Sequence, residues 1–159
     1  MPRWLLACGR KRSRTRVPRG WMSQITQTIF VAEANAAAAS EAAVTAMWTD
    51  PTTGLVWQRE DDGFTRNQDD SISYCRTLSL GGHSDWRLPS RDELLSLWKD
   101  IGSQNAVRRT YFANMKSEGY WSSKVNWAGG AWPVNFSDGS DWHYDKMGGF
   151  YARCVRSGQ

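Results

Sequence analysis

The sequence predicts an α+β domain that begins near Trp48 of a 159-residue chain. Three observations predict it. Ser90 followed three residues later by Glu93, immediately after Pro89, is a capping box that opens a helix. Behind it Leu94, Leu97, Trp98 and Ile101 recur at the spacing of one apolar helix face. The last forty residues instead alternate apolar and polar side chains around Asp138-Gly139, a hairpin turn signal.

Residues 1–47 read as a separate tail. They carry seven Lys/Arg against two Glu, a net of +5, whereas residues 48–159 carry thirteen against fourteen, a net of −1. The chain's formal charge of +4 therefore belongs to the tail, and the folded part is near neutral. A nucleic-acid argument would rest on the run Arg10–Arg16 alone, and specific nucleic-acid recognition is not expected. Leu5-Leu6-Ala7-Cys8 has the form of a lipoprotein processing site, but too few apolar residues precede Cys8 for an export segment of about 7–15. Met22 is an alternative start. The segment from Ile29 to Met47 is Ala-rich, a helix with little apolar area to bury, suited to a leader, a tether or an oligomerising stalk. No run is long and apolar enough to span a membrane.

From Trp48 onward lie eight Trp, five Tyr and four Phe. Large aromatics separated by Gly, Asn, Asp and Ser suit a loop-rich fold in which a few bulky side chains fill the core. Asp50–Gly54 reads as a turn, followed by a strand over Gly54–Arg59 with Leu55 and Trp57 on one face. Asp69, Asp70 and Ser71 are expected to cap a helix over 71–80, which Gly81-Gly82 would end. Trp86 and Leu88 point one way along an extended piece and Asp85 and Arg87 the other. The capped helix then runs to about Gly102. Residues 102–119 read as loop, with Tyr111 and Phe112 packing inward. Strands follow over Tyr120–Val125, Ala131–Phe136, a return holding Trp142 and Tyr144, and Phe150–Arg156.

Thr53-Gly54-Leu55-Val56-Trp57, Tyr74-Cys75, Asp85-Trp86-Arg87-Leu88-Pro89, Glu93-Leu94, Tyr120-Trp121-Ser122-Ser123 and Arg153-Cys154-Val155-Arg156 occur in this order. In these motifs the chain, over residues 48–156, resembles the C-terminal domain of the Legionella collagen-like (Lcl) adhesins. The resemblance implies a C-type lectin-like fold: two helices packed on a small antiparallel sheet, with long loops presenting a ligand surface. It implies a disulfide between Cys75 and Cys154, which leaves Cys8 over, and hence an extracytoplasmic location: secreted, periplasmic or on the cell surface. It also implies binding rather than chemistry.

The residues themselves argue the same way. His83 and His143 lack metal-ligand spacing, and no phosphate loop or nucleophile elbow is found. Asp92 and Glu93 are explained by helix capping, so no enzyme is expected. No cofactor is expected either; calcium is the one candidate, because Asn135–Asp141 is rich in oxygen ligands, but the regular spacing of a calcium loop is absent. The ligand surface is expected in the loop around Asn126 and Trp127 and in the hairpin Asn135–Tyr144, with Asn126, Trp127, Asn135, Asp141, His143 and Tyr144 as contacts. The alternative for this region is that Trp132, Val134, Phe136 and Trp142 simply form core. The expected ligand is a polysaccharide or a protein. Two other roles fit the chain: an assembly protein, homo-oligomeric through the N-terminal helix or docked by it on a particle, and a receptor-binding protein diversified by a retroelement, as happens elsewhere on this fold.

Overall fold

The computed structural model describes residues 19–101, 110–126 and 128–158. Residues up to Ala37 and residues from Ala38 onward form two separate units. The described part of the first lies in α1 (Arg19–Thr45), a longer helix than the Ala-rich segment alone. The second unit follows the order β1 (Met47–Thr49), β2 (Val56–Gln58), α2 (Gln68–Thr77), α3 (Arg91–Ile101), β3 (Gly119–Val125), β4 (Gly130–Asn135), β5 (Tyr144–Asp145), β6 (Val155–Arg156). It holds two three-stranded antiparallel sheets, ordered β1-β2-β6 and β3-β4-β5, where one small sheet was expected. Single bridges join them to their neighbours, Tyr120 with Tyr151 and Arg87 with Val155.

Alternation along the strands divides the core in two. Trp57, Tyr120 and Val155 point into one cluster with Leu94, Leu97, Phe112, Val134 and Phe136, under α3. Their sequence neighbours Val56, Trp121 and Cys154 point into the other, with Cys75 of α2, Trp86, Leu88, Ala131 and Ala152. Successive side chains of an extended chain face opposite ways, so each of these segments serves both helices at once. The inward reading of Trp86 and Leu88 holds, as does the pairing of Leu55 with Trp57. Cys75 and Cys154 are joined in a disulfide, with Cα atoms 5.4 Å apart.

The capping box at α3 forms in both directions. The Glu93 amide donates to Ser90 Oγ (3.2 Å), and the Ser90 amide donates to Glu93 Oε2 (2.7 Å). Glu93 also receives both terminal nitrogens of Arg87, at 2.8 and 2.6 Å. The Arg87 hydrogen bonds hold the Glu93 carboxyl below its ordinary range, against the cost of partial burial. Because the folded value is the lower one, this stabilisation is present above the unfolded value and is lost as pH falls through the folded one. Asp85 turns instead to Arg156, at 2.8 Å, so Asp85 and Arg87 each have their own partner. Ser90→Ala should cost about 1 kcal/mol, read as a shift in the urea midpoint; an unmoved midpoint would mean that Arg87 and Glu93 hold this helix start alone.

Three expectations need correction. The first helix of the domain starts at Gln68, not Ser71, because its cap is Asn67, whose side chain accepts the Asp70 amide at 2.8 Å and donates to the Asp70 carboxylate at 2.8 Å. It ends at an extended Leu78; Gly81 and Gly82, with φ of 63° and 79°, instead make the tight turn that pairs Leu80 with His83. Phe112 is buried, but Tyr111 is exposed and lies against the Trp48 ring, 5.2 Å between centroids. The return strand and the last strand are also shorter than expected, reduced to β5 and β6 with bridges at Asp141, Phe150 and Tyr151.

Between Trp121 and Val125 the ladder to β4 shifts register, so Ser122–Lys124 bulge opposite Trp132. The fully buried Gln68 side chain donates to Ser122 O at 2.7 Å, and the Ser122 hydroxyl to Trp132 O at 2.5 Å. The Ser122 carbonyl in the bulge and the Trp132 carbonyl opposite it are thus satisfied.

Candidate functional site

The hairpin that leaves β4 is braced from within. The Asn135 side chain accepts the Ser137 amide at 2.8 Å, and Asp138 Oδ1 accepts both the amide (2.9 Å) and the hydroxyl (2.7 Å) of Ser140. Those bonds, the hydroxyl first, hold the Asp138 carboxyl below its ordinary range. Gly139 closes the turn with φ of 75°, and a Cβ there would stand 2.6 Å from the Trp98 ring of α3. Only glycine satisfies both conditions.

The hairpin is also tied to α3 by charge. Asp141 pairs with Arg91, the first residue of α3, and the Arg91 guanidinium lies 5.6 Å from the Trp132 ring centroid. His143, exposed, packs beside Trp132 at 6.4 Å and fills the space that a side chain at Gly130 would occupy. The neighbouring loop is built in the same way: Asn126 Oδ1 accepts the amides of Ala128 (3.0 Å) and Gly130 (2.7 Å). Trp127 lies outside the described residues.

The candidate residues therefore have distinct stations. Asn126, Asn135 and Asp141 carry hydrogen bonds that shape the loops, while His143 and Tyr144 stand at the surface on the return of the hairpin. Tyr144 is 45% exposed and sets its ring edge-on to Phe150, 5.2 Å away. Phe150 is the hub here, with Trp121 beneath it at 4.8 Å and Trp142 at 6.3 Å. Of the four residues that could have been core, Val134 and Phe136 are buried, while Trp132 and Trp142 are half-buried.

Two exposed apolar residues were missed in the sequence: Phe64 at 69% and Met147 at 68%. Their loops are joined by the backbone pair of Arg66 with Phe150, by the Gln68 amide to Lys146 O at 2.9 Å, and by the Lys146–Asp69 ion pair. Both sit beside glycine, at Gly63-Phe64 and Met147-Gly148. An apolar side chain in a glycine-bearing turn is the signal that could have found them.

A separate concavity of about 570 Å³ is lined by Thr45, Ala46, Gln58–Asp62, Tyr74 and Leu80. The Gln58 amide donates to the Tyr74 hydroxyl at 2.7 Å, and burial pushes that hydroxyl's pKa up. Asp61, in its lining, belongs to a buried ion pair. Arg153, fully buried, reaches Asp61 and donates to Gln58 O (2.8 Å) and Arg59 O (2.6 Å). Asp61 further accepts the Tyr120 hydroxyl at 3.0 Å and the Asn114 amide at 3.1 Å. Burial drives the Tyr120 pKa up to about 12. These acids are committed to holding the chain. Among the described residues no group of three His, Cys, Asp or Glu side chains gathers to hold a metal. Asn135 Oδ1, Asp138 Oδ1 and Asp141 Oδ2 are engaged as described above.

Comparison with the curated proteins found no match. Among solved structures the chain is similar to the Yersinia pseudotuberculosis adhesin InvE, with a TM-score of 0.52 at 16% identity over 70% of this chain. The match takes in 34% of the adhesin, so the chain spans about a third of that protein's length. At this identity the likeness speaks for the fold, which is α+β and C-type lectin-like. The Lcl C-terminal domain family matches residues 46–156, from the residue before β1 to the end of β6. The chain belongs to the Lcl C-terminal domain family.

Proposed function

We propose that this domain is a non-catalytic, adhesin-like binding module, working outside the cytoplasm, that recognises a polysaccharide or a protein through its C-terminal loops. One observation carries the reading: the hairpin Asn135–Tyr144 is braced by its own Asn and Asp side chains and tied to α3, yet leaves Tyr144 and His143 exposed. Rigid aromatics offer contact area at low entropic cost, on sugar faces or protein surfaces alike. The family and the adhesin likeness support binding, and the buried disulfide supports an oxidising compartment. Asn126, Trp127, Asn135 and Asp141 complete the proposed surface, with the first, third and fourth acting chiefly by shaping it.

The test is a glycan array probed with the full chain, followed by His143→Ala with Tyr144→Ala on any ligand found. Affinity should fall at least about tenfold, about 1.4 kcal/mol, with the melting temperature nearly constant, since exposed changes cost about 0.5 kcal/mol or less. Intact binding would move the site off this hairpin. Binding should be the same in EDTA and in calcium; loss in EDTA restored by calcium would bring a metal into the reading.

A further inference from the structure

We propose that α1 pairs with α1 of a second copy of this chain along a heptad seam. From Met22 to Ala43 the helix carries Met22, Ile25, Ile29, Ala32, Ala36, Ala39 and Ala43, spaced alternately by three and four residues. All seven are apolar, so the a and d positions of a coiled coil are filled without a break. Every described residue from Gln24 to Ala42 is exposed, Ile25 and Ile29 among them. A helix of this kind gains most of its stability from packing.

The period decides the occupant. A partner without a matching helix has no use for a 3.5-residue repeat, because a straight helix drifts about 20° per heptad from it. A second copy presents the same repeat in the same register. The flanking positions agree: Thr26, Glu33 and Ser40 on one side and Thr28, Asn35 and Ala42 on the other, with Glu33 the single charge among them. Two copies in register set Glu33 opposite Thr28, so no like charges meet. The alanines let the axes approach to the near end of about 8–10 Å. The seam is about 33 Å long and about 10 Å wide. Such an interface falls below the roughly 1,200 Å² of a stable pair, so association should depend on concentration. Its consequence is multivalency: two tethered domains would engage a repeating ligand with more than either's affinity. The pairing itself does not rest on the binding reading.

Light scattering of the full chain over a concentration series tests it. The mass should rise from 18.0 kDa to a multiple of it. Ile25→Ser with Ile29→Ser should return it to 18.0 kDa at every concentration. Phe30→Ser with Val31→Ser, a larger loss of exposed apolar surface off the seam, should leave association unchanged. A wild-type chain that stays monomeric, or two double variants that behave alike, overturns the proposal. So does a monomer that floats with phosphatidylglycerol vesicles, which would give this face to a lipid surface.

Discussion

Asp61→Ala should destabilise the domain by about 3–5 kcal/mol, the loss typical of a buried ion pair deprived of one partner. Arg153 has no route to water: its side chain is 0% exposed, with the rings of Phe112 and Tyr120 at 4.9 and 5.5 Å. Removing the carboxylate strands that cation and also leaves the Tyr120 hydroxyl and the Gly63 amide without their acceptor. The charge, not the shape, should dominate. Asp61→Asn, close in size and still an acceptor, should therefore lose most of the same amount. Replacing both partners, Asp61→Leu with Arg153→Met, should cost less than Asp61→Ala alone, since an apolar pair can substitute for a desolvated one. Urea denaturation of the variants decides it. A midpoint unchanged by Asp61→Ala would mean that the Gln58 and Arg59 carbonyls suffice to hold Arg153.

The same ion pair shows where sequence reading stops. Arg153 sits between Ala152 and Cys154 in a segment whose neighbours are all buried, and nothing local distinguishes it from a surface arginine. Its partner lies 92 residues away. What was legible was local: the Ser90–Glu93 box, the alternation that buries Trp86 and Leu88, and the Asp138-Gly139 turn each declare themselves within a few residues. The start of α2 was legible too, since Asn67 precedes Asp70 by three, but the acidic pair drew the boundary inward. The division into two sheets was not, because it depends on the bulge at Ser122–Lys124, and that bulge is filled by Gln68 from a distant helix.

For the candidate surface, the residue types single out loops, while the task of each side chain depends on geometry. An Asn or Asp in a turn can face a ligand or its own backbone. Asn126, Asn135 and Asp138 face backbone, and Asp141 faces Arg91. The exposed aromatics are a different matter. Tyr144 is left outside because Phe150 already fills the space above Trp121.

Breaking the Cys75–Cys154 bridge should cost about as much as breaking the ion pair. The bond spans a sequence separation of 79, joining α2 to the segment just before β6. Closing a loop of that size restricts the unfolded chain by about 4.5 kcal/mol in the chain-entropy account. Both sulfurs are fully buried in the cluster of Trp86, Leu88 and Trp121, so Cys75→Ala with Cys154→Ala also removes packed volume and should not fall short of that loss. Domains of this size hold about 5–15 kcal/mol in all, so the variant should sit close to unfolded at body temperature. The oxidised and reduced chains, compared by urea denaturation, give the measurement, and a peptide map without reductant should recover Cys75 linked to Cys154. Free alkylation of both in the folded, oxidised protein would remove the bridge from the account. A reduced chain within about 1 kcal/mol of the oxidised one would show instead that the unfolded ensemble is already restricted without it.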